Sequence, residues 1–295
     1  MIPGAANDDD QVENSVIMRA LDPEVVDAIW EAIEPLLPAP DDGHPLGCHN
    51  PKISDRLCFE RIMIRLVTGC SWEDAERLAP GAVSDTTLRT RRDEWIAAGV
   101  FDQLAAEALA GYDRIIELDL SEVAVDGSQH KAPCGGEGTG KNPTDRGKLG
   151  WKWSLVADRV EIPIGWATNG ANRHDVVLFK PTLAAADERG LLADIETLHL
   201  DRGYDGGPVR DCVAAYGITD LICGKRRHAG TADGPLPVPL GMRWPIERTN
   251  SWLSNFGQLR IHHRLAQLCL AITALITAKL IDWRNRWMPD LAPTR

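Results

Sequence analysis

Residues 122–170 constrain this chain more than any other stretch. EVAVDGS alternates into Asp126 and ends on glycine and serine, and WKWSLVAD and IPIGWATNG follow as two more extended runs. Period-two runs rich in Val, Ile and Trp predict strands, and the short turn near residues 158–161 predicts that the last two form a hairpin. Residues 175–188 then have a helical pattern, 195–200 a strand pattern, and 207–216 a helical one. ITDLICG is a further strand, and the chain is helical from about Trp244. Three strands in a run followed by helix–strand–helix–strand–helix predict an α/β fold, a mixed sheet flanked by helices.

The chain before Ile115 has a different texture. Asp22-Pro23 suits an N-cap and first turn, opening a helix with Val25, Val26, Ile29, Trp30 and Ile33 on one side. A second helix near residues 56–68 should stop at Gly69, and Ser71 with Asp74 resembles a capping box opening a short third helix. Pro80-Gly81 breaks the chain, and Ser84 or Asp85 caps a fourth helix carrying Arg89, Arg91 and Arg92. Short helix, tight turn and arginine-bearing helix make a helix-turn-helix-like, all-α region suited to DNA. An ordinary helical bundle with solvated arginines has the same pattern. The expected division is an acidic disordered tail over 1–15, a helical DNA-binding region over 16–110, a catalytic domain over 111–288, and a tail over 289–295.

A net charge of −11 disfavours nucleic acid, but residues 1–50 hold eleven Asp or Glu against one Arg. The remainder is near neutral and has room for basic patches, which matter more to DNA than the total. Seven scattered cysteines without C-x-x-C spacing, and no signal-peptide pattern, lead us to expect a cytoplasmic protein with reduced thiols. The apolar run over 265–281 contains Gln267, Thr273, Thr277 and Lys279, so a buried helix is expected there and no membrane span.

Two aspartates, Asp126 and Asp201, sit at strand ends able to lie side by side. Helical spacing puts Arg243, Glu247, Asn250 or Ser251, Ser254 and Gln258 on one polar stripe, opposite Ile246, Leu253 and Phe256. Three converging carboxylates repel one another unless a cation neutralises them. Oxygen ligands of this kind suit magnesium or manganese. Two such ions about 3.5–4 Å apart would clamp the attacking and leaving oxygens of a phosphoryl transfer. For any single acid, capping a turn or pairing with an arginine is the simpler explanation.

At this point VAVDGS, LDRGYD and RWPIERTNSWLSNF resemble the three catalytic segments of DDE insertion-sequence transposases of the IS-five family. KAPCGGEGTGKNPTDRGKLGWK and GANRHD resemble further blocks in the same order, and LVTGCSWEDAERL and SDTTLRTRRDEWIAAGVFD resemble the N-terminal helical region, so the match covers roughly residues 20–265. The resemblance implies a ribonuclease H-like catalytic core, with Asp126, Asp201 and Glu247 as the metal-binding and catalytic triad and Arg243 as the motif's arginine. It implies a transposase that cuts the element's terminal inverted repeats and joins the freed 3′-hydroxyl to target DNA, working as a homodimer or larger assembly. Many members carry a basic residue seven or eight positions after the glutamate. This chain has Ser254 and Asn255 there, leaving Arg260 or Arg248 to substitute.

Further DNA contacts are expected from Arg89 and Arg92, three apart on one face of the fourth helix. Lys141, Lys148 and Lys152, in a flexible loop near Trp151 and Trp153, can neutralise phosphates, while the indoles either stack on an unpaired base or join the core. Lys225, Arg226 and Arg227 follow a strand and favour phosphate contact. Asp205 is expected to cap the next helix and Arg202 to face DNA or a local acid. GGEGTGKN falls short of a phosphate-binding loop, having Asn142 where Ser or Thr is needed and Pro143 next, so no nucleotide is expected. The rival functions are a nuclease on the same fold without strand transfer, a non-catalytic DNA-binding derivative, and a glycoside hydrolase using a carboxylate pair.

Overall fold

The structure is a computed structural model and describes residues 19–39, 52–79, 81, 83–223 and 242–288. The chain divides into two units. One takes the described residues of 1–112 together with 252–260 and those of 265–295; the other takes 113–251 and 261–264.

The first unit is helical. Asp22 accepts the amide of Glu24 at 3.2 Å and opens α1, Pro23–Ile33. Helix α2, Asp55–Thr68, ends at Gly69 in the left-handed region with φ 71°. Ser71 accepts from the Asp74 amide at 3.0 Å to start α3, Trp72–Arg77, and Ser84 accepts from the Thr87 amide at 3.2 Å to start α4, Asp85–Ala97. Helix α5 spans Val100–Ile116. The starts of α1, α3 and α4 each rest on a side-chain oxygen replacing a missing intrahelical acceptor.

The last helix of the described chain, labelled α9 below, is Leu265–Trp287 and belongs to this first unit. The helix, expected with the catalytic domain, packs with α1, where Arg284 pairs with Glu24, and Arg19 just ahead of α1 pairs with Asp282. It is long and apolar enough to cross a membrane, with mean hydropathy 1.7, yet 67% of that apolar window is buried inside the fold. Gly69 and Gly257 meet back to back, a Cβ on Gly257 falling 2.5 Å from the Thr68 carbonyl group.

The second unit holds the sheet. Its strands are β1 Glu122–Lys131, β2 Gly140–Lys141, β3 Leu149–Ala157, β4 Pro163–Gly170, β5 Thr197–Leu200 and β6 Asp220–Cys223. The order is β2–β3–β1–β5–β6, with β4 also on β3. β3 runs antiparallel to β1 and β4, while β1, β5 and β6 are mutually parallel. Helix α6, Asp175–Asp187, lies between β4 and β5 in sequence and packs on β3 and β4; α7, Gly207–Ala215, links β5 to β6, and α8, Trp244–Ser254, follows.

Two local differences from the sequence-based expectations matter. β1 continues five residues beyond Asp126, because its antiparallel pairing with β3 runs on to Lys131 and Gly150. The loop after β1, expected to be flexible, is pinned: Cys134 donates to the Ile261 carbonyl at 3.0 Å, and the His263 amide to the Gly135 carbonyl at 3.1 Å.

Candidate active site

The parallel pairing of β1 with β5 ends at Val125 opposite Leu200. The next residue on each strand is Asp126 and Asp201, so the two carboxylates leave the sheet side by side at the carboxyl end of the parallel pair. That end of an open α/β sheet is where ligand sites form. Asp126 accepts the Gly127 amide at 2.8 Å and Asp201 the Arg202 amide at 2.6 Å, which fixes one oxygen of each. Asp201 thereby also caps the one-turn helix Arg202–Tyr204.

Glu247 reaches the same place from α8, and the second unit anchors that helix at several points. The indole N–H of Trp153 donates to Asn250 at 2.7 Å in the core, and Thr249 donates to the Glu161 carbonyl at 3.0 Å. Arg248 pairs with Glu161 at 3.5 Å, and the Met242 amide donates to His199 Nδ1 on β5 at 3.0 Å. Asn250→Ala would leave the Trp153 N–H buried and unsatisfied, an expected loss of about 1–3 kcal/mol. Urea denaturation checks this, and adding Trp153→Phe to Asn250→Leu should recover most of the loss.

Arg243 joins the three acids. Its guanidinium lies 3.5 Å from Asp126, 3.4 Å from Asp201 and 3.3 Å from Glu247. Burial pushes the Asp126 pKa up; the Gly127 amide and Arg243 oppose that rise, while Asp201 and Glu247 add to it. Close to the acids lies Tyr204, whose phenol burial holds far above the usual tyrosine range, with Asp175 and Asp126 adding to the effect, so it stays neutral. Among the described residues no three His, Cys, Asp or Glu side chains are arranged to hold a metal ion as they stand. The donor set nonetheless fits a hard divalent cation: three carboxylates already converge on one positive charge.

Several expected DNA contacts are placed otherwise. Lys152 is buried, its side chain 7% exposed, and its ammonium pairs with Asp175 at 2.8 Å rather than facing a phosphate. Trp151 and Trp153 are both fully buried, so neither is available to stack on a base. Arg92 is 12% exposed and engaged twice, in a two-pronged contact with Asp93 at 2.9 and 3.0 Å and over the Trp72 ring at 5.0 Å. It holds the fold where a base-reading contact was expected. Arg91 is buried against Asp55 and Glu94, and Arg89 is exposed and 3.2 Å from Asp85. Lys141 and Lys148 are exposed. Lys225, Arg226 and Arg227 lie outside the described residues. Asp205 pairs with Arg210 at 2.7 Å and Gly206 stands at the start of α7, so Asp205 does not cap that helix. Gln258 falls off the polar stripe because α8 stops at Ser254, and it is buried in the turn Gly257–Arg260. Sequence reasoning missed the Lys152–Asp175 pair and the Asn250 anchor, since neither spacing nor charge marks them.

Residues 25–105 match a family described as "Putative transposase of IS4/5 family". The "Putative transposase for insertion sequence element IS402" of Burkholderia cepacia is 36% identical over 128 residues, 42% of this chain and 58% of that relative. The "Insertion element IS402 uncharacterized 16.2 kDa protein" of the same organism is 34% identical over 121 residues, 41% of this chain and 82% of that relative. The matched stretch thus spans little more than half the length of the first relative. No solved structure matches significantly. The residues matched by the family model lie within the helical unit. The chain belongs to the insertion-sequence transposases of the IS5 type.

Proposed function

We propose that this chain is a DDE transposase with a ribonuclease H-like core, acting on the terminal inverted repeats of its element. The observation that carries the reading is the meeting of Asp126, Asp201 and Glu247 around one cationic group. The strand order supports it: an antiparallel three-strand run followed by two strands parallel to the first is the arrangement expected of that core. Asp126, Asp201 and Glu247 would hold magnesium or manganese, and two ions are expected for this chemistry. Bound there, the metal supplies Lewis acidity and an activated water or 3′-hydroxyl for in-line phosphoryl transfer.

The protein's own part is placement. The Gly127 amide fixes one oxygen of Asp126 and leaves the other facing Arg243, while the Arg202 amide fixes the Asp201 oxygen that itself faces Arg243. The anchors on α8 set the reach of Glu247. Arg243 and Arg248 are the cations expected to meet the DNA backbone. Hydrolysis would free the element's 3′-hydroxyl, which then attacks target DNA at the same site, and joining two ends calls for a homo-oligomer. The cytoplasm, where DNA and reduced thiols coexist, is the compartment this chemistry needs.

The test is to incubate purified protein with inverted-repeat duplexes and magnesium and to map the products. Nicks at the element ends and joined products are expected with magnesium or manganese and without nucleotide. Cleavage persisting in EDTA, or requiring ATP, would overturn the reading.

The DNA surface makes a separate prediction. Lys141→Ala and Lys148→Ala should weaken binding to all duplexes alike, lowering the salt slope by about one for each phosphate no longer neutralised. Arg89→Ala should weaken binding to element ends more than to random DNA. Lys152→Ala should lower the melting midpoint, since it strips Asp175 of its buried partner. A salt titration on both duplexes, with a melt for each variant, distinguishes the three behaviours.

A further inference from the structure

We propose that Arg243 is the internal counter-ion of the three carboxylates and competes with divalent cations for them. The inference rests on the reading of Asp126, Asp201 and Glu247 as the metal ligands. It goes beyond that reading by assigning the arginine an occupancy role in the free protein.

The geometry shows one charge shared among three acids and optimised for none of them. The guanidinium serves three carboxylates at 3.3, 3.4 and 3.5 Å, and the nitrogen nearest Asp126 is also the one nearest Glu247. Optimised charge-assisted N–H···O distances run about 2.7–2.9 Å. The same chain achieves that elsewhere, at 2.7 Å between Arg210 and Asp205 and 2.8 Å between Lys152 and Asp175. The Nε–H of Arg243 is buried without a hydrogen-bond partner. A flat, five-donor group is thus held among three acids without the two-pronged pairing it is built to make.

What holds it is mutual need. Three carboxylates without a cation repel one another, and a guanidinium four residues before Glu247 is one helical turn away and always charged. A compact divalent ion carries twice the charge and accepts oxygens from several directions, so it satisfies the acids better. The two cannot hold the same oxygens at once. Metal entry therefore requires Arg243 to swing out, and the freed guanidinium, already 33% exposed, then faces solvent or a phosphate. Free protein keeps its acids partly compensated, one positive charge against three negative, and binds metal weakly. An arginine released by metal is the one that meets DNA.

The test uses the full chain without DNA. Manganese binding is followed by electron paramagnetic resonance of the free ion, for wild type, Arg243→Met and Arg243→Lys, each with and without Asp201→Asn. Arg243→Met, which keeps the stem and removes the charge, is expected to bind manganese about tenfold or more tightly than wild type, about 1.4 kcal/mol per tenfold. Arg243→Lys should stay near wild type, and Asp201→Asn should abolish the gain. Equal or weaker binding by Arg243→Met, with binding still sensitive to Asp201→Asn, overturns the counter-ion role and leaves the triad standing. Equal tightening by Arg243→Lys overturns it too, since charge is then not the cause. Manganese binding indifferent to Asp201→Asn in every background removes the triad reading, and the inference falls with it. A measurement on wild type needs no variant to fold: the Arg243 Nε proton, followed by nitrogen-15 NMR, should exchange faster at saturating magnesium. Unchanged exchange at saturation would overturn the proposal.

Discussion

Asp126→Asn, Asp201→Asn and Glu247→Gln are each expected to lower cleavage of element-end DNA by about a thousandfold or more, about 4 kcal/mol in the barrier. Each replaces a charged oxygen donor with a neutral amide of the same shape, so the loss should fall on chemistry rather than folding. Asp126 makes the sharpest case. Burial already disfavours its charge, with Asp201 and Glu247 adding to that effect against the Gly127 amide and Arg243. Asp126→Asn should therefore melt no lower than wild type while losing activity, the pattern of a site that is kept although it destabilises the fold. Single-turnover cleavage at saturating magnesium, beside a thermal melt, checks both halves. Any of the three that keeps more than about a tenth of wild-type cleavage is not a member of the triad.

Gly257→Ala is expected to destabilise the helical unit by about 3 kcal/mol, the upper end for overpacking. The added methyl would lie 2.5 Å from the carbonyl carbon and oxygen of Thr68 and 2.7 Å from the Gly69 amide nitrogen. All three are backbone atoms, so no side chain can rotate away. Gly69 cannot yield either, because it ends α2 with φ 71° and faces Gly257 almost as closely. The measurement is urea denaturation followed by far-ultraviolet circular dichroism. A loss below about 1 kcal/mol would mean that the two backbones separate easily.

Much of this fold was legible because local signals and tertiary demands agree. Ser71, Ser84 and Asp22 cap the helices they were expected to cap, and Gly69 ends α2. The side-by-side placement of Asp126 and Asp201 followed from two strands ending in the same kind of residue, and parallel register supplies it. Lys152 and the tryptophans were not legible. Alternation tells which residues share a face of a strand, not whether a layer covers that face. β3 is covered on both sides, so every residue from Gly150 to Ala157 is buried, lysine included. The end of α8 was hidden for another reason. Helical periodicity carries on through Gln258, but the close approach of Gly257 to Thr68 turns the chain after Ser254. Arg92 shows the limit of face arguments, since Trp72 from the neighbouring helix claims the guanidinium that spacing alone left exposed.

The return of Leu265–Trp287 to the helical unit bears on how the protein is made. A ribosome delivers residues in order, and a domain normally closes its core soon after its own segment emerges. Here the unit begun by the first helices stays open until residues 265–287 have been synthesised, while the sheet strands emerge in one uninterrupted stretch. A message cut short after the sheet would yield a product with its strands intact and its helical unit unfinished. The helical region is thus no detachable module: fusing residues 19–112 alone to a reporter should give an aggregation-prone fragment, and supplying residues 252–288 in trans should rescue its solubility.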